Sequence, residues 1–485
     1  MGFYTITNEV LNRAFTENGD KAYASTGSAC LDFFSIVGGM RYNLKDAMNL
    51  FMKSYFEDPL LTIKILFYIR DIKEGLGERN LFRVAFNSLA NMYPEVAKQL
   101  IQYIPKYGRY DDLLVCLDTC IAEDVISYIR KQITEDLANK KEGKPISLMA
   151  KWLPSINTSS KDARVLAKKL ANSFGITCEE YRKILSALRK GIIIENNLRE
   201  KDYSFGYETV PGGAMLKYRE AFIRNDKKRY DEYLASVKVG KAKINAKNLY
   251  PYEIIRALDN DNSLENREAL DVMWKNLDRS EITSKTIVVR DGSGSMYDDC
   301  PVQAIDVATS LAILFAEQLT GEFKNKFITF SNSPKLVDIK GETIFDKKKY
   351  LERFSDVAST NIEAVYNLIL DVYKNENFNP DDALDRIVII SDMQFNQATT
   401  HSSKSTFENF KRKFEELGYQ MPEMVFWNVR ARAVQFPTLN DRGVKLVGGA
   451  SSKIILDIIK NQNTSAYEFM LECLARYDCF DSIIF

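Results

Sequence analysis

Five oxygen-bearing side chains stand where a hard cation could be held. In "TIVVRDGSGSMYDD" (286–299) a short apolar run ends in Asp291, and Ser293 and Ser295 follow at two-residue spacing on a glycine-softened turn. The run "RIVIIS" (386–391) ends in the same way and is followed by Asp392, while "ASTNIEAV" places Thr360 just ahead of a helical stretch. Carboxylates and hydroxyls together suit Mg²⁺ or another divalent cation of its kind, which takes oxygen ligands in near-octahedral geometry and keeps several waters. A site of this composition leaves a position open for an acidic oxygen from a partner. The plainer reading is that "DGSGSM" is a polar turn in which Ser and Asp accept backbone N–H groups of the following helix. Three motifs in order, each at an expected strand or helix end, favour the cation.

Other chemistries fit these residues less well. A strand-end aspartate can carry phosphate, but a DxD pair is absent and Ser293 stands where the second carboxylate would be. "EGKPIS" (142–147) lacks the first glycine and the preceding strand of a phosphate-binding loop. The single histidine, His401, lies in the polar stretch "QATTHSSKST" and reads as an exposed loop residue, not the base of a Ser-His-Asp set. With no nucleophile paired to a base, no enzymatic activity is expected.

The elements that must position the five residues follow from hydrophobic periodicity. After residue 280, β-rich runs at 286–290, 326–331, 386–391, 424–429 and 444–449 alternate with helical stretches at 302–319, 361–376, 403–417 and 452–461. That alternation predicts a doubly wound α/β domain. Ligands in such sheets sit beyond the carboxyl ends of parallel strands, so Asp291 and Asp392 should lie on adjacent loops. Before residue 280 apolar residues recur at three and four, as in "DPLLTIKILFYIRDIKEG" (58–75) and "ERNLFRVAFNSLANMY" (78–93). Further helices are expected over 109–119, 122–140, 159–173, 177–190, 213–236 and 251–278. Paired helices of this kind predict an all-α helical-repeat solenoid or ring, although no fixed-period repeat is visible. The expected domains are therefore a helical one over 1–280, an α/β one over 281–462, and a helical tail over 463–485 with an apolar end that should dock. Arg109 followed by "YDDLL" reads as a helix start with Asp111 and Asp112 in its first turn.

Composition bounds the rest. The 485 residues are 45% hydrophobic, enough for a large core, and 66 basic side chains balance 66 acidic ones. Global charge therefore announces no nucleic-acid or membrane partner. Seven scattered cysteines without CxxC pairs fit reduced thiols, and Cys116 and Cys120, on one helical face, fit core packing better than a zinc site. The opening "MGFYTITNEVLNRAF" lacks a basic region followed by an apolar one, and no stretch reaches the length of a membrane span. A cytoplasmic protein with no membrane partner is expected.

The DxSxS turn, the threonine and the second aspartate resemble the metal-ion-dependent adhesion site (MIDAS) of von Willebrand factor A domains. In that family the corresponding positions hold the metal, which implies Mg²⁺ at Asp291, Ser293, Ser295, Thr360 and Asp392. The helical half has its own resemblance. "YIRDIKEGLGERNLFRVAF" (68–86), "YGRYDDLL" (107–114), "AKWLPS" (150–155), "VPGGAMLKYREAFIRNDKKRYDEYL" (210–234) and "LYPYEII" (249–255) are similar to the TROVE module, the HEAT-like helical ring of Ro-type RNA-binding proteins. A sister family shares that layout, and "SDMQF" (391–395) and "STNIEAV" (359–365) look closer to it. The resemblance implies a ring followed by a Rossmann-like von Willebrand factor A domain, and a ribonucleoprotein in which the ring takes noncoding RNA.

The residues make a separate case for RNA. Between 217 and 247, Lys217, Arg219, Arg224, Lys227, Lys228, Arg229, Lys238, Lys241, Lys243 and Lys247 outnumber Glu220, Asp226, Asp231 and Glu232. Tyr218, Phe222, Tyr230 and Tyr233 interleave with them. Such a patch suits phosphate contacts and base stacking, or it is a solvated amphipathic helix pair with its aromatics in the core. For the aromatics the core is favoured, and for the charges both readings stay open. Two functions are compatible with the sequence: a noncatalytic RNA-binding scaffold, or a protein-assembly module whose metal site clamps an acidic residue of a partner and which has no RNA role.

Overall fold

The computed structural model describes residues 11–17, 19, 21–260, 263–297, 299–355, 360–375, 379–395, 406–460 and 463–485. The chain forms two compact units, one of residues 1–65, 74–76 and 211–478, the other of residues 66–73, 77–210 and 479–485.

The first unit carries a small hairpin, β1 (Arg13–Phe15) and β2 (Lys21–Tyr23), and a six-stranded sheet. The sheet strands are β3 (Thr286–Asp291), β4 (Lys326–Phe330), β5 (Leu336–Asp338), β6 (Arg386–Ser391), β7 (Glu423–Asn428) and β8 (Val444–Gly448), in spatial order β5-β4-β3-β6-β7-β8. All neighbours are parallel except β4 and β5. Every residue of β3, β6, β7 and β8 is buried, as parallel strands covered on both faces require. Helix Ala304–Gln318, buried along almost its whole length, is part of that cover. The five expected strands are all present. The three-residue β1, β2 and β5 are too short to leave an alternating pattern.

Strand β3 lies between β4, which follows it in the chain, and β6, which comes later. The order of winding reverses there, and the carboxyl ends of β3 and β6 flank the crevice this creates.

An N-terminal segment packs on the β8 edge of the same sheet. Helix Ala29–Ile36, capped by Ser28, runs into Gly38 and Gly39. A Cβ on Gly38 would lie 2.4 Å from the Gly448 carbonyl oxygen, and one on Gly39 would lie 2.8 Å from the Ala431 nitrogen. Only glycines allow this approach. Four helices, Gly212–Asn225, Lys227–Lys238, Pro251–Asn260 and Leu264–Lys275, belong to this unit too. They are tied to the helices of the sheet: Trp274 Nε1 donates to Glu317 at 2.9 Å, and Asp271 accepts from the Ile344 nitrogen at 3.0 Å.

The second unit is helical, with helices Arg79–Met92, Pro94–Leu100, Ala122–Lys141, Lys161–Ser173 and Cys178–Arg189. Phe480 from the chain's end is buried among Phe67, Tyr103 and Tyr107, with ring centroids at 4.5, 5.0 and 5.8 Å. The tail itself is helix Ala466–Leu474 and a 3-10 turn, Ala475–Phe480.

Several expected elements are corrected. The helix expected over 213–236 is two, because Asp226 leaves helical geometry (φ −141°, ψ 39°) and a new helix starts at Lys227. That expected over 251–278 is also two, the second capped by Ser263, whose hydroxyl accepts from the Asn266 nitrogen. The stretch 109–119 is a 3-10 helix, Tyr110–Cys116, followed by a turn. Cys116 is buried as expected, but Cys120 is exposed and takes no part in the core. All seven cysteines are free thiols. Among the described residues no helix is long and apolar enough to cross a membrane.

Candidate metal centre

Burial of β3 up to its last residue carries Asp291 inside the protein, with none of its surface exposed. Its Oδ2 accepts from the Ser391 hydroxyl at 2.6 Å and its Oδ1 from the Ser293 nitrogen at 2.9 Å, which closes an Asx turn. Gly292 at the bend lies so close to the next segment that a Cβ would meet the Phe354 carbonyl oxygen at 3.2 Å. The turn aligns the hydroxyls of Ser293 and Ser295, 3.1 Å apart. From the neighbouring strand end, Asp392 accepts from the Gln394 nitrogen at 3.2 Å through Oδ1. The Gln394 carbonyl in turn accepts from the Thr360 hydroxyl at 2.7 Å. Asp291, Ser293, Ser295, Thr360 and Asp392 thus come together in one linked network, all buried except Ser295, which is half-buried.

The electrostatics of this cup are those of two buried acids. Burial raises the Asp291 carboxyl above the usual carboxylate range. Burial, and then the neighbouring Asp291 charge, push Asp392 up to about 6. The Asp392 Oδ2 is buried and has no hydrogen-bond partner among the described residues. A buried carboxylate oxygen left this way is costly unless a cation or donor meets it. The donor set is oxygen alone, two carboxylates and three hydroxyls, which suits Mg²⁺ rather than a metal that prefers nitrogen or sulfur. Among the described residues there is no cluster of three or more His, Cys, Asp or Glu side chains able to hold a metal. This cup therefore depends on its hydroxyls.

Some residues of the site were not foreseen. Ser391, the last residue of β6, orients Asp291, and its place directly before Asp392 was the available signal. Residues of the N-terminal segment hold the loop after Asp392: the Thr16 hydroxyl donates to the Phe395 carbonyl at 2.5 Å, and the Glu17 nitrogen donates to Gln394 Oε1 at 2.9 Å. Tyr23 and Phe436 exchange backbone hydrogen bonds at 2.9 Å. Arg432, beyond β7, reaches Ser295 and Asp392. No sequence pattern marks these partners, which are brought in by the fold. His401 lies outside the described residues.

The basic series is split by the structure. Arg219 is 6% exposed, and its guanidinium donates to Asn266 Oδ1 and, at 2.6 Å, to the Leu216 carbonyl. It braces the helices and is not available to a phosphate, which corrects its place in the expected RNA surface. Lys217, Arg224, Lys227, Lys228, Arg229, Lys238, Lys241, Lys243 and Lys247 are exposed. Lys227 pairs with Glu265 at 3.2 Å, Arg229 with Asp226 at 3.1 Å and Lys238 with Glu268 at 3.7 Å. Lys241, Lys243 and Lys247 form no ion pair with a described residue. Phe222, Tyr230 and Tyr233 are buried, as the core reading of the aromatics anticipated, whereas Tyr218 is half-buried, with Lys217 over its ring.

The chain has relatives among known proteins. The family described as Domain of unknown function (DUF2828) matches residues 16–136 and 118–288, and that described as Domain of unknown function (DUF7788) matches residues 285–473. Over 513 aligned residues the chain is 30% identical to Uncharacterized protein L728 of Acanthamoeba polyphaga mimivirus, covering 96% of this chain and 88% of that one. Among solved structures, the RO (RSR) protein of Deinococcus radiodurans aligns at 12% identity and a TM-score of 0.39 over 89% of this chain and 94% of that chain. Proximal thread matrix protein 1 from the mussel byssus aligns at 12% identity and a TM-score of 0.23 over 41% and 48%. At those scores neither likeness carries weight for the role of this chain.

Proposed function

The chain belongs to the Domain of unknown function (DUF2828) family, and we propose that it is a noncatalytic RNA-binding scaffold whose α/β part holds a divalent cation. In this reading the sheet and its helices are a von Willebrand factor A-like domain with a MIDAS, and the helices before residue 280 are a TROVE-like, HEAT-like ring. The observation that carries the cation is the buried Asp392 Oδ2, which no hydrogen bond satisfies and which Arg432 meets only at 3.8 Å, beside a second buried carboxylate, Asp291. Asp291, Ser293, Ser295, Thr360 and Asp392 would hold Mg²⁺. When bound it would present a positive, partly hydrated centre to an anionic oxygen of a partner. The chain's own residues orient the cup: Ser391 and the Ser293 nitrogen fix Asp291, while Gln394 links Thr360 to Asp392.

Support for RNA comes from the motifs similar to the TROVE module and from the exposed segment bearing Lys241, Lys243 and Lys247. Lysine contacts to phosphate set affinity without reading sequence. Replacing Lys238, Lys241, Lys243 and Lys247 together with glutamine should therefore weaken noncoding RNAs of different sequence about equally. The log–log salt slope should fall by about one unit per phosphate contact removed. Filter binding at several salt concentrations reads both. An unaltered affinity and slope would favour the second reading, in which the open cation position takes a carboxylate from a protein partner. That contact would depend chiefly on Mg²⁺, whereas RNA binding weakens steeply with salt.

A scaffold should not turn over. Incubation of the purified chain with labelled RNA or nucleotides should give no product, because the cup holds no nucleophile paired with a base. Turnover that survives purification and disappears in Asp291→Ala would overturn the noncatalytic assignment.

A further inference from the structure

Arg432 stands over the cation cup. Its Nη2 donates to the main-chain oxygen of Ser295, and its Nε lies 3.8 Å from the buried Asp392 Oδ2. The guanidinium therefore bridges the turn after β3 and the loop after β6. Its backbone is pinned on both sides: Ala431 donates to the Gly39 carbonyl at 3.0 Å, Asn43 Nδ2 donates to the Arg432 carbonyl at 3.0 Å, and Gln435 Nε2 donates to the Met393 carbonyl at 3.3 Å. Its side chain keeps 27% exposure, whereas that of Asp392 has none. A fixed backbone thus delivers a long, partly exposed side chain to the carboxylate oxygen that lacks a hydrogen-bond partner.

The charges explain what such an arm does. Asp291 and Asp392 supply two carboxylates in a buried cup; the buried Arg290 faces Asp291, and Arg432 returns one positive charge to Asp392. A guanidinium at that distance, without a full hydrogen bond to Oδ2, compensates the charge only in part. A divalent cation would compensate it better and would repel the guanidinium.

We propose that Arg432 is the built-in counter-ion of this site: it neutralises Asp392 when no divalent cation is bound, and yields that oxygen when one binds. Divalent affinity is then set by competition with the chain's own arginine, so the site answers only to a cation concentrated enough to displace it. This rests on the cation reading given above.

The test uses the full chain and Mg²⁺ alone, by titration calorimetry, with Asp291→Ala as the control for the site. Removing the competing charge in Arg432→Gln should tighten Mg²⁺ binding by roughly tenfold, a change of the size, though opposite in sign, that loss of a supporting group around a metal causes. In EDTA the same variant should melt below the parent, because Asp392 has lost its counter-ion. Arg432→Lys, which keeps the charge, should bind Mg²⁺ close to the parent affinity, a rescue that a purely structural brace would not show. Equal or weaker Mg²⁺ binding by Arg432→Gln, with binding still abolished in Asp291→Ala, would overturn the competition while leaving the cation site standing. Absence of Mg²⁺ binding in the parent with its appearance in Arg432→Gln would support the competition in its strongest form. Absence of binding in both would overturn the competition and the cation site together.

Discussion

Asp291→Ala should lose divalent-cation binding while keeping its fold. In the proposed site Asp291 would be one of two charged ligands, and the other three donors would be neutral hydroxyls. Groups that only orient metal ligands change affinity by roughly 10–100-fold, so removal of a charged ligand should exceed that. The fold should survive because the carboxylate is a burden when no cation is present: its pKa is raised by burial, meaning the surroundings disfavour its charge. What the variant gives up is the pair of hydrogen bonds from Ser391 and the Ser293 nitrogen. Thermal melting in EDTA and in Mg²⁺ separates the two effects. The parent should gain about 2.7 kcal/mol at a hundred times its Kd, and the variant should gain nothing. An equal Mg²⁺ gain in both would place the cation elsewhere.

The largest effect on stability should come from Asp112→Ala in the helical unit. Asp112 is fully buried and accepts from Arg70 Nε and Arg83 Nε at 2.7 Å each and from the Arg109 nitrogen at 2.9 Å. Arg70 is itself only 2% exposed. A Cβ on Gly108 would sit 2.5 Å from Asp112 Oδ2 and 2.9 Å from Arg70 Nε, so the backbone is folded tightly around the pair. Alanine would leave a guanidinium buried without its partner, a change that costs about 3–5 kcal/mol. Urea unfolding of the variant should show a loss of that size, whereas Asp112→Asn, which keeps one acceptor, should lose less. A loss under about 1 kcal/mol for alanine would mean that solvent or Asp111 replaces the lost charge.

Both sites show what a sequence can disclose. The strand ends bearing Asp291 and Asp392 were legible because buried parallel strands are β-branched runs and the chemistry sits just past them. Adjacency of the two loops followed from the rule that ligands sit beyond the carboxyl ends of parallel strands. Asp112 was legible only as a helix-start acid. It does cap the Arg109 nitrogen, but its partners Arg70 and Arg83 are 42 and 29 residues away and carry no pattern that links them to it. Thr16 reaches the loop after Asp392 across 379 residues. Arg219 was open to a better reading, because it shares the buried helix face of Met215, Leu216 and Phe222 at spacings of three and four. The helix breaks at Asp226 and Ser263 had local signals too, since Asp and Ser compete with helix for the backbone and favour its starts.

Whether a divalent cation sits where β3 and β6 end is decided by diffraction from Mn²⁺-soaked crystals of the full chain. Mn²⁺ shares the oxygen preference and octahedral geometry of Mg²⁺ and scatters anomalously. One dominant anomalous peak is expected in the cup formed by Asp291, Ser293, Ser295, Thr360 and Asp392, with the Arg432 guanidinium moved off Asp392. A saturated crystal with no peak in that cup, or with peaks only at surface carboxylates, would contradict it.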